Sequence, residues 1–297
     1  MKALVFGSLN IDYFYGVDHF VQKGETISST SLEVYSGGKG LNQATALAKA
    51  GANVYQAGCI GKDGLFLLDE LRAAKVKTEL IAVLDDVRSG NAIIQNDKEG
   101  DNCILLYGGA NRSITKAYVD DVLALFDPGD VILLQNEINE MAYIVEKAKE
   151  KGLVLILNPS PLDEDVLNLP LEYFDYFILN EIEASQILEN DQEMEAEALL
   201  DSLTQKFPKA KLVLTVGSKG SYYADETTRF FQKAYKVNAV DTTAAGDTFT
   251  GYFIASLMAG KNVTQAMNIA AKASSITVQS KGAAPSIPVI ETVLEEM

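Results

Sequence analysis

The run "VDTTAAGDTFTG", residues 240–251, sets one carboxylate, Asp247, where a loop of small residues enters a helix whose apolar face carries Phe249, Phe253 and Leu257. An acid there complements the helix dipole, worth roughly 0.3–1 kcal/mol, and that alone is a sufficient structural reason for it. The preceding residues, Thr243 to Gly246, are small enough for successive N–H groups to point outward and make an anion-stabilising concavity. An acid beside such a concavity also suits phosphoryl transfer, as a base that takes a hydroxyl proton next to donors that stabilise charge growing on the phosphate.

A second run, "YSGGKGLNQA" at residues 35–44, passes from strand through three glycines into a helix opened by Gly40 to Asn42. Glycines let a backbone approach a ligand, and a helix start offers free N–H groups. Taken alone, a tight turn without a ligand explains the run equally well. It lacks the Gly-Lys-Ser/Thr of a Walker loop, and Gln43 stands where the dinucleotide fingerprint needs its last glycine. With only Cys59, Cys103 and His19 available, a Cys/His zinc site and a histidine-dependent triad both lack parts. Carboxylates, amides, lysines and backbone must do any chemistry, and His19 reads as a surface or half-buried structural residue.

These residues need a scaffold, and 297 residues at 47% hydrophobic suffice for one large domain or two small ones. Short β-branched runs ("ALVFG", "VYQAGCIG", "DVILLQ", "LVLILNP", "YFILN", "KLVLTVG") alternate with amphipathic ones ("LNQATALAKAG", "LFLLDELRAAKV", "AYIVEKAKEKG"). Such alternation predicts an α/β fold with a largely parallel sheet covered on both faces. Gly51, Gly152 and Gly260 read as helix C-terminal caps, and Asn262 with Gln265 as a cap pair. "IDYFYGV", "SSTSLEVYS" and the pair "GNAIIQND" and "NCILLYGG" around "KEGD" read instead as period-two strands of a small sheet inserted at about 11–36 and 90–108. Its apolar residues, among them Tyr13, Tyr15, Val34, Ile94 and Leu105, must close over a cleft or pack on a second copy, because so small a sheet is marginal in water. No linker divides the chain, so 1–297 reads as one domain.

A formal charge of −16 without a basic patch argues against nucleic-acid and membrane-surface partners. The acidic stretch Glu189 to Glu197 reads as a solvated helix face. The start "MKALVFGSLNID" breaks its apolar run too soon for a signal peptide or membrane span, and two unpatterned cysteines suit a reducing compartment, so a cytoplasmic location is expected.

In order and spacing, "GSLNID", "GETIS", "SGGKGLNQA", "NEIE", "TVGSKGS", "AVDTTAAGDTFTG" and "SKGAAPSIP" resemble the motifs of the ribokinase-like (PfkB) carbohydrate kinase family, nearest its ribokinases, from the first strand to about Pro288. The resemblance implies a doubly wound α/β domain with a small β-sheet lid over a sugar site. It implies that Asp247 is the base for the sugar's primary hydroxyl and that the amides around Ala245, Gly246 and Asp247 form the anion hole. Asn10, Asp12, Gly38, Lys39, Asn42 and Glu137 would hold the sugar. Asn180 and Glu183 would organise Mg2+ and the ATP phosphates through water, with Thr215, Gly217 and Gly220 in the nucleotide loop. Asp241, Thr243, Thr277, Ser280, Gly282 and Ser286 would hold a monovalent cation, K+, mostly through carbonyls, an oxygen-only set that suits a hard ion.

Three departures from the family pattern bear on the pocket: Ile11 and Leu41 replace smaller residues, and Ser36 stands where an aromatic residue is frequent. The extra bulk is expected to alter the sugar site. For a phosphorylated sugar the lid offers few cations (Lys39, Arg88 and Arg112) where phosphate favours a bidentate arginine clamp. The expected activity is therefore ATP-dependent phosphorylation of a free sugar, D-ribose at its 5-hydroxyl. The alternatives are a kinase for deoxyribose, fructose or a nucleoside, or a catalytically silent sugar sensor, which is expected to have lost Asp247 or Gly246. A homodimer through the lid sheets is the expected assembly.

Overall fold

The computed structural model describes residues 1–99, 101–190, 192 and 194–297. Among these residues the strands are β1 (Ala3–Phe6), β2 (Asn10–Gly16), β3 (Ser31–Gly37), β4 (Val54–Gly61), β5 (Lys77–Leu84), β6 (Gly90–Asn96), β7 (Asn102–Tyr107), β8 (Val131–Leu134), β9 (Val154–Leu157), β10 (Tyr176–Asn180), β11 (Lys211–Thr215), β12 (Gly220–Ala224) and β13 (Arg229–Lys233). The helices are α1 (Lys39–Lys49), α2 (Leu65–Ala73), α3 (Lys116–Leu123), α4 (Met141–Lys151), α5 (Glu164–Leu167), α6 (Glu181–Ile187), α7 (Ala196–Lys206), α8 (Ala245–Met258), α9 (Val263–Thr277) and α10 (Ile290–Glu295).

The main sheet runs β13-β12-β11-β10-β9-β8-β1-β4-β5, parallel from β11 through β5 and antiparallel at its β12–β13 edge. Successive side chains of a strand point to opposite faces, so a strand buried on both sides must be apolar throughout. In β1, Ala3 and Val5 join a core with Leu47 of α1, Leu67 of α2, Phe249 of α8 and Met267 of α9. Leu4 and Phe6 join the opposite core with Val119 of α3, Ile144 of α4, Ile187 of α6 and Leu199 of α7. Helices therefore cover both faces, as the alternation predicts. Gly51, Gly152 and Gly260 follow their helices with φ of 94°, 76° and 79°, and Asn262 and Gln265 form a reciprocal capping box.

The small sheet runs β3-β2-β6-β7 and draws on the two predicted insertions. Its register corrects the expected apolar face. Tyr13, Val34, Ile93 and Leu105 align across the strands on one face, whereas Phe14, Ile94 and Ile104 share the other with Asp12. Ile94 thus belongs with the carboxylate, away from Tyr13, Tyr15, Val34 and Leu105. At the turn, Asp97 accepts the amides of Glu99 and Asp101 at 2.9 and 3.0 Å, and Gly100 lies outside the described residues.

Two further elements differ from expectation. The acidic stretch is largely not helical: α6 ends before Glu189, which takes φ 52°, and α7 starts at Ala196, while Asp191 and Glu193 lie outside the described residues. Strand β5 and the β12–β13 hairpin carry no clear signal in the pattern, because both are edge elements with charged or exposed positions. Among the described residues no helix is long and apolar enough to cross a membrane.

One packing contact positions the chemistry. A Cβ at Gly251 of α8 would overlap the Ala46 side chain and the Leu47 amide of α1, so the two helices approach as closely as a missing side chain allows. Their N-terminal turns, carrying Lys39 to Gln43 and Asp247, then meet.

Candidate active site

Helix α8 starts at Ala245 after Ala244, which takes φ 59° and gives no side-chain cap. The first amide with a helical partner is that of Thr248, which donates to the Ala244 carbonyl at 2.8 Å. The Ala245 amide is spent in a turn on the Thr242 carbonyl at 3.2 Å, whereas those of Gly246 and Asp247 donate to no described residue. The expected concavity therefore holds two open donors, and the Ala245 N–H is not one of them.

Asp247 is buried, at 6% exposure, and is held from three sides. Asn42 Nδ2 donates to its Oδ2 at 3.1 Å, Gln43 Nε2 donates to its Oδ1 at 2.9 Å, and Lys39 Nζ stands 3.8 Å from Oδ1. Desolvation pulls the Lys39 ammonium down, but the carboxylates of Asp247, Glu137 and Glu183 outweigh it and hold its pKa above the ordinary lysine value. Lys39 is thus a fixed cation beside Asp247.

The other expected sugar residues gather around it. Gly38, with φ 91°, precedes α1, and the Lys39 amide donates to Glu137 Oε2 at 3.1 Å. Ser8 Oγ donates to the same Glu137 oxygen. Asn10 Oδ1 accepts from Asn111 Nδ2 at 2.7 Å, and Asn111 Oδ1 in turn accepts the Leu9 amide at 3.0 Å. Asp12 is buried, and burial together with the Glu137 charge pushes its carboxyl up to about 7. The expected effect of Ile11 and Leu41 is corrected: both point into the core at 3% and 0% exposure, so their bulk leaves the cleft alone. Ser36 is buried with an unpartnered Oγ. Arg88 Nε lies 3.5 Å from Asp63 Oδ2, and Arg112 Nη1 donates to the Ile138 carbonyl at 3.1 Å.

Asn180 and Glu183 form a capping box at the start of α6: Asn180 Oδ1 accepts the Glu183 amide at 2.9 Å and Glu183 Oε2 accepts the Asn180 amide at 3.0 Å. The pair therefore has a structural role, and what remains for a ligand is Glu183 Oε1, which accepts no hydrogen bond from described residues. Thr215 ends β11 and donates through Oγ1 to the Leu179 carbonyl at 3.3 Å. Gly217 takes φ 55° with open space where a Cβ would stand, whereas Gly220 lies so close to the Gln232 carbonyl that a side chain would break the β12–β13 pairing.

Asp241 ties its own loop to the segment after α9, its Oδ1 accepting the Thr243 amide at 2.9 Å and its Oδ2 the Gly282 amide at 3.0 Å. Burial raises its carboxyl, but the bonds from Thr243 and Gly282 and the Lys281 charge prevail and hold it below the usual range. The carbonyls of Asp241, Thr243, Ser280, Gly282 and Ser286 accept no hydrogen bond from described residues, as a carbonyl-lined cation site requires. The Thr277 hydroxyl donates to Thr248 Oγ1 at 3.0 Å, and its carbonyl accepts the Ser280 amide at 3.2 Å, which leaves that oxygen one lone pair.

Sequence reasoning passes over Ser8, Gln43, Asn111, Gln135 and Asn158. Ser8 and Gln43 lie inside quoted motifs, but a polar residue that binds another side chain leaves no periodic signal.

Residues 1–290 match the family described as pfkB family carbohydrate kinase. The chain is 35% identical over 302 residues to a ribokinase of Staphylococcus aureus (strain COL), covering 98% of each. It superimposes on ribokinase from Cryptococcus neoformans var. grubii serotype A in complex with ADP with a TM-score of 0.89 at 33% identity, over 100% of this chain and 99% of that one. Against Arabidopsis thaliana ribokinase complexed with ribose and ATP the TM-score is 0.86 at 27% identity, over 99% and 97%. The chain belongs to the pfkB family of carbohydrate kinases.

Proposed function

We propose that the protein transfers the γ-phosphoryl group of ATP to the 5-hydroxyl of free D-ribose, giving D-ribose 5-phosphate and ADP. The observation that carries this reading is Asp247, buried beside two open amides at the start of α8 and fixed by Asn42, Gln43 and Lys39. The related proteins that hold ribose and ATP, or ADP, support the choice of substrates.

In this mechanism Asn10, Asp12, Asn42 and Glu137 bind the sugar hydroxyls and set the primary one against Asp247. Asp247 takes the hydroxyl proton as the oxygen attacks in line, and the Gly246 and Asp247 amides, with Lys39, stabilise charge on the migrating phosphoryl group. Glu183, through Oε1 and water, is the residue to hold Mg2+, whose charge would offset that of the nucleotide phosphates. The free carbonyls of Asp241, Thr243, Ser280, Gly282 and Ser286 suit a monovalent cation such as K+, which would stiffen the loop leading to α8. The lid supports a homodimer, because Leu105 is 68% exposed on one face and Ile104 53% exposed on the other. A cytoplasmic location, where free sugar and ATP meet, completes the reading.

The test is purified protein with ATP and Mg2+ against pentoses, hexoses and nucleosides, with and without K+. Ribose is expected to give the highest kcat/KM, with K+ raising it. A nucleoside or another sugar ahead of ribose overturns the substrate assignment, and sugar binding without ADP formation overturns the kinase assignment.

A further inference from the structure

Asp247 is gripped by a buried chain of side-chain amides that the reaction scheme above does not use. Gln43 Nε2 donates both to Asp247 Oδ1 at 2.9 Å and to Asn158 Oδ1 at 2.8 Å, and Gln43 Oε1 accepts from Gln135 Nε2 at 2.6 Å. At the far end Asn158 Nδ2 donates to the main-chain carbonyl of Ile178 at 2.8 Å. That carbonyl can only accept, so it fixes every amide in turn. Asn158 must aim its oxygen at Gln43, Gln43 must aim its NH2 group at Asp247, and Gln135 must aim its NH2 group at Gln43. A flip at any link sets oxygen against oxygen.

Gln43 and Gln135 are both at 0% exposure, so water does not repair such a mismatch. The arrangement also carries a cost, because Gln135 Oε1 is buried with no partner and presses on the space where a Gly7 side chain would stand. Apolar residues would fill this space without that penalty.

We propose that Gln43, oriented by Asn158 and Gln135, is a positioning residue that sets the plane of the Asp247 carboxylate for proton transfer. The physical need is specific. The χ2 torsion of an aspartate is broad, so backbone placement leaves the carboxylate plane loose. One donor on each oxygen, Asn42 on Oδ2 and Gln43 on Oδ1, defines the plane and leaves a lone pair for the sugar hydroxyl. Asn42 belongs to the expected sugar set, whereas Gln43 is at 0% exposure and reaches the reaction through its bond to the carboxylate. The polar residues that follow β8 and β9, Gln135 and Asn158, thereby reach the reacting atom, anchored on the main chain of β10 at Ile178.

This inference rests on Asp247 being the base, and the experiment separates the two. Gln43→Met, Gln135→Met and Asp247→Asn are compared with the unaltered protein for kcat, sugar KM and melting temperature. Gln43→Met is expected to lower kcat roughly 10–100-fold with sugar KM within about twofold, because misaligned reacting groups lose turnover more than binding. Gln135→Met touches Gln43 and not Asp247, and is expected to lower kcat by roughly 3–10-fold in the same pattern, since it frees the amide without removing it. It carries the test if Gln43→Met does not fold. A purely structural relay lowers the melting temperature and leaves kcat alone. That result, or a rise in KM that accounts for the whole loss, overturns the proposal while turnover of Asp247→Asn stays roughly 10²–10⁴ down. Unreduced turnover of Asp247→Asn overturns the assignment of the base itself.

Discussion

At the scale of single residues, two buried carboxylates are set for different work by their surroundings. Asp247 has two amide donors and a lysine within 3.8 Å, whereas Asp12 is buried beside Glu137 and pushed up to about 7. The fold prefers Asp12 protonated, so between its ordinary pKa of 3.8 and about 7 the folded state holds a proton that the unfolded chain has released. Stability is therefore lost as pH rises through that window and is flat above it. Asp12→Asn removes the effect. Its melting temperature is expected to match that of the unaltered protein near pH 4 and exceed it at pH 8, and thermal denaturation at the two pH values checks this. The acid of "AAGD" was legible from its place at a helix mouth. Its partner Gln43, and Gln135 and Asn158 that hold Gln43, were not, because side-chain hydrogen bonds between residues 92 and 204 positions apart follow no sequence period.

At the scale of elements, the site exists where α1 and α8 cross. Gly251 is the point of contact, and Gly251→Leu is expected to cost about 1–3 kcal/mol by overpacking. Because the substitution pushes Asn42 and Gln43 away from Asp247, kcat should fall as well, and steady-state kinetics beside a urea titration separate the two losses. Asn262→Ala is the contrast: it removes a capping box remote from the cleft, so it should cost about 1 kcal/mol and leave kcat unchanged in the same assays. Buried strands and capped helices were legible because burial on both faces and glycine or asparagine ends write a local pattern. Strand β5 and the β12–β13 hairpin escaped it, since edge strands accept charged residues such as Lys77, Glu79, Arg229 and Lys233. The two faces of the lid were confused for a related reason. Period-two alternation tells neighbours apart within one strand, but only the register across β2, β6 and β7 tells which residues share a face.

At the scale of the whole molecule, helices cover both faces of the nine-stranded sheet, and a separate four-stranded sheet exposes apolar residues on both of its faces. The exposed edge strand β7 gives the dimer proposal its test: Leu105→Asp with Leu106→Asp is expected to shift sedimentation at micromolar concentration from dimer to monomer. A monomeric unaltered protein contradicts the proposal. The claim on which the rest depends is that this scaffold serves one proton transfer at Asp247. Its most direct test is ADP release by Asp247→Asn with saturating ribose, ATP and Mg2+, beside calorimetric titration of ribose. Turnover is expected to fall by roughly 10²–10⁴ with ribose affinity nearly intact, and turnover equal to that of the unaltered protein contradicts the account.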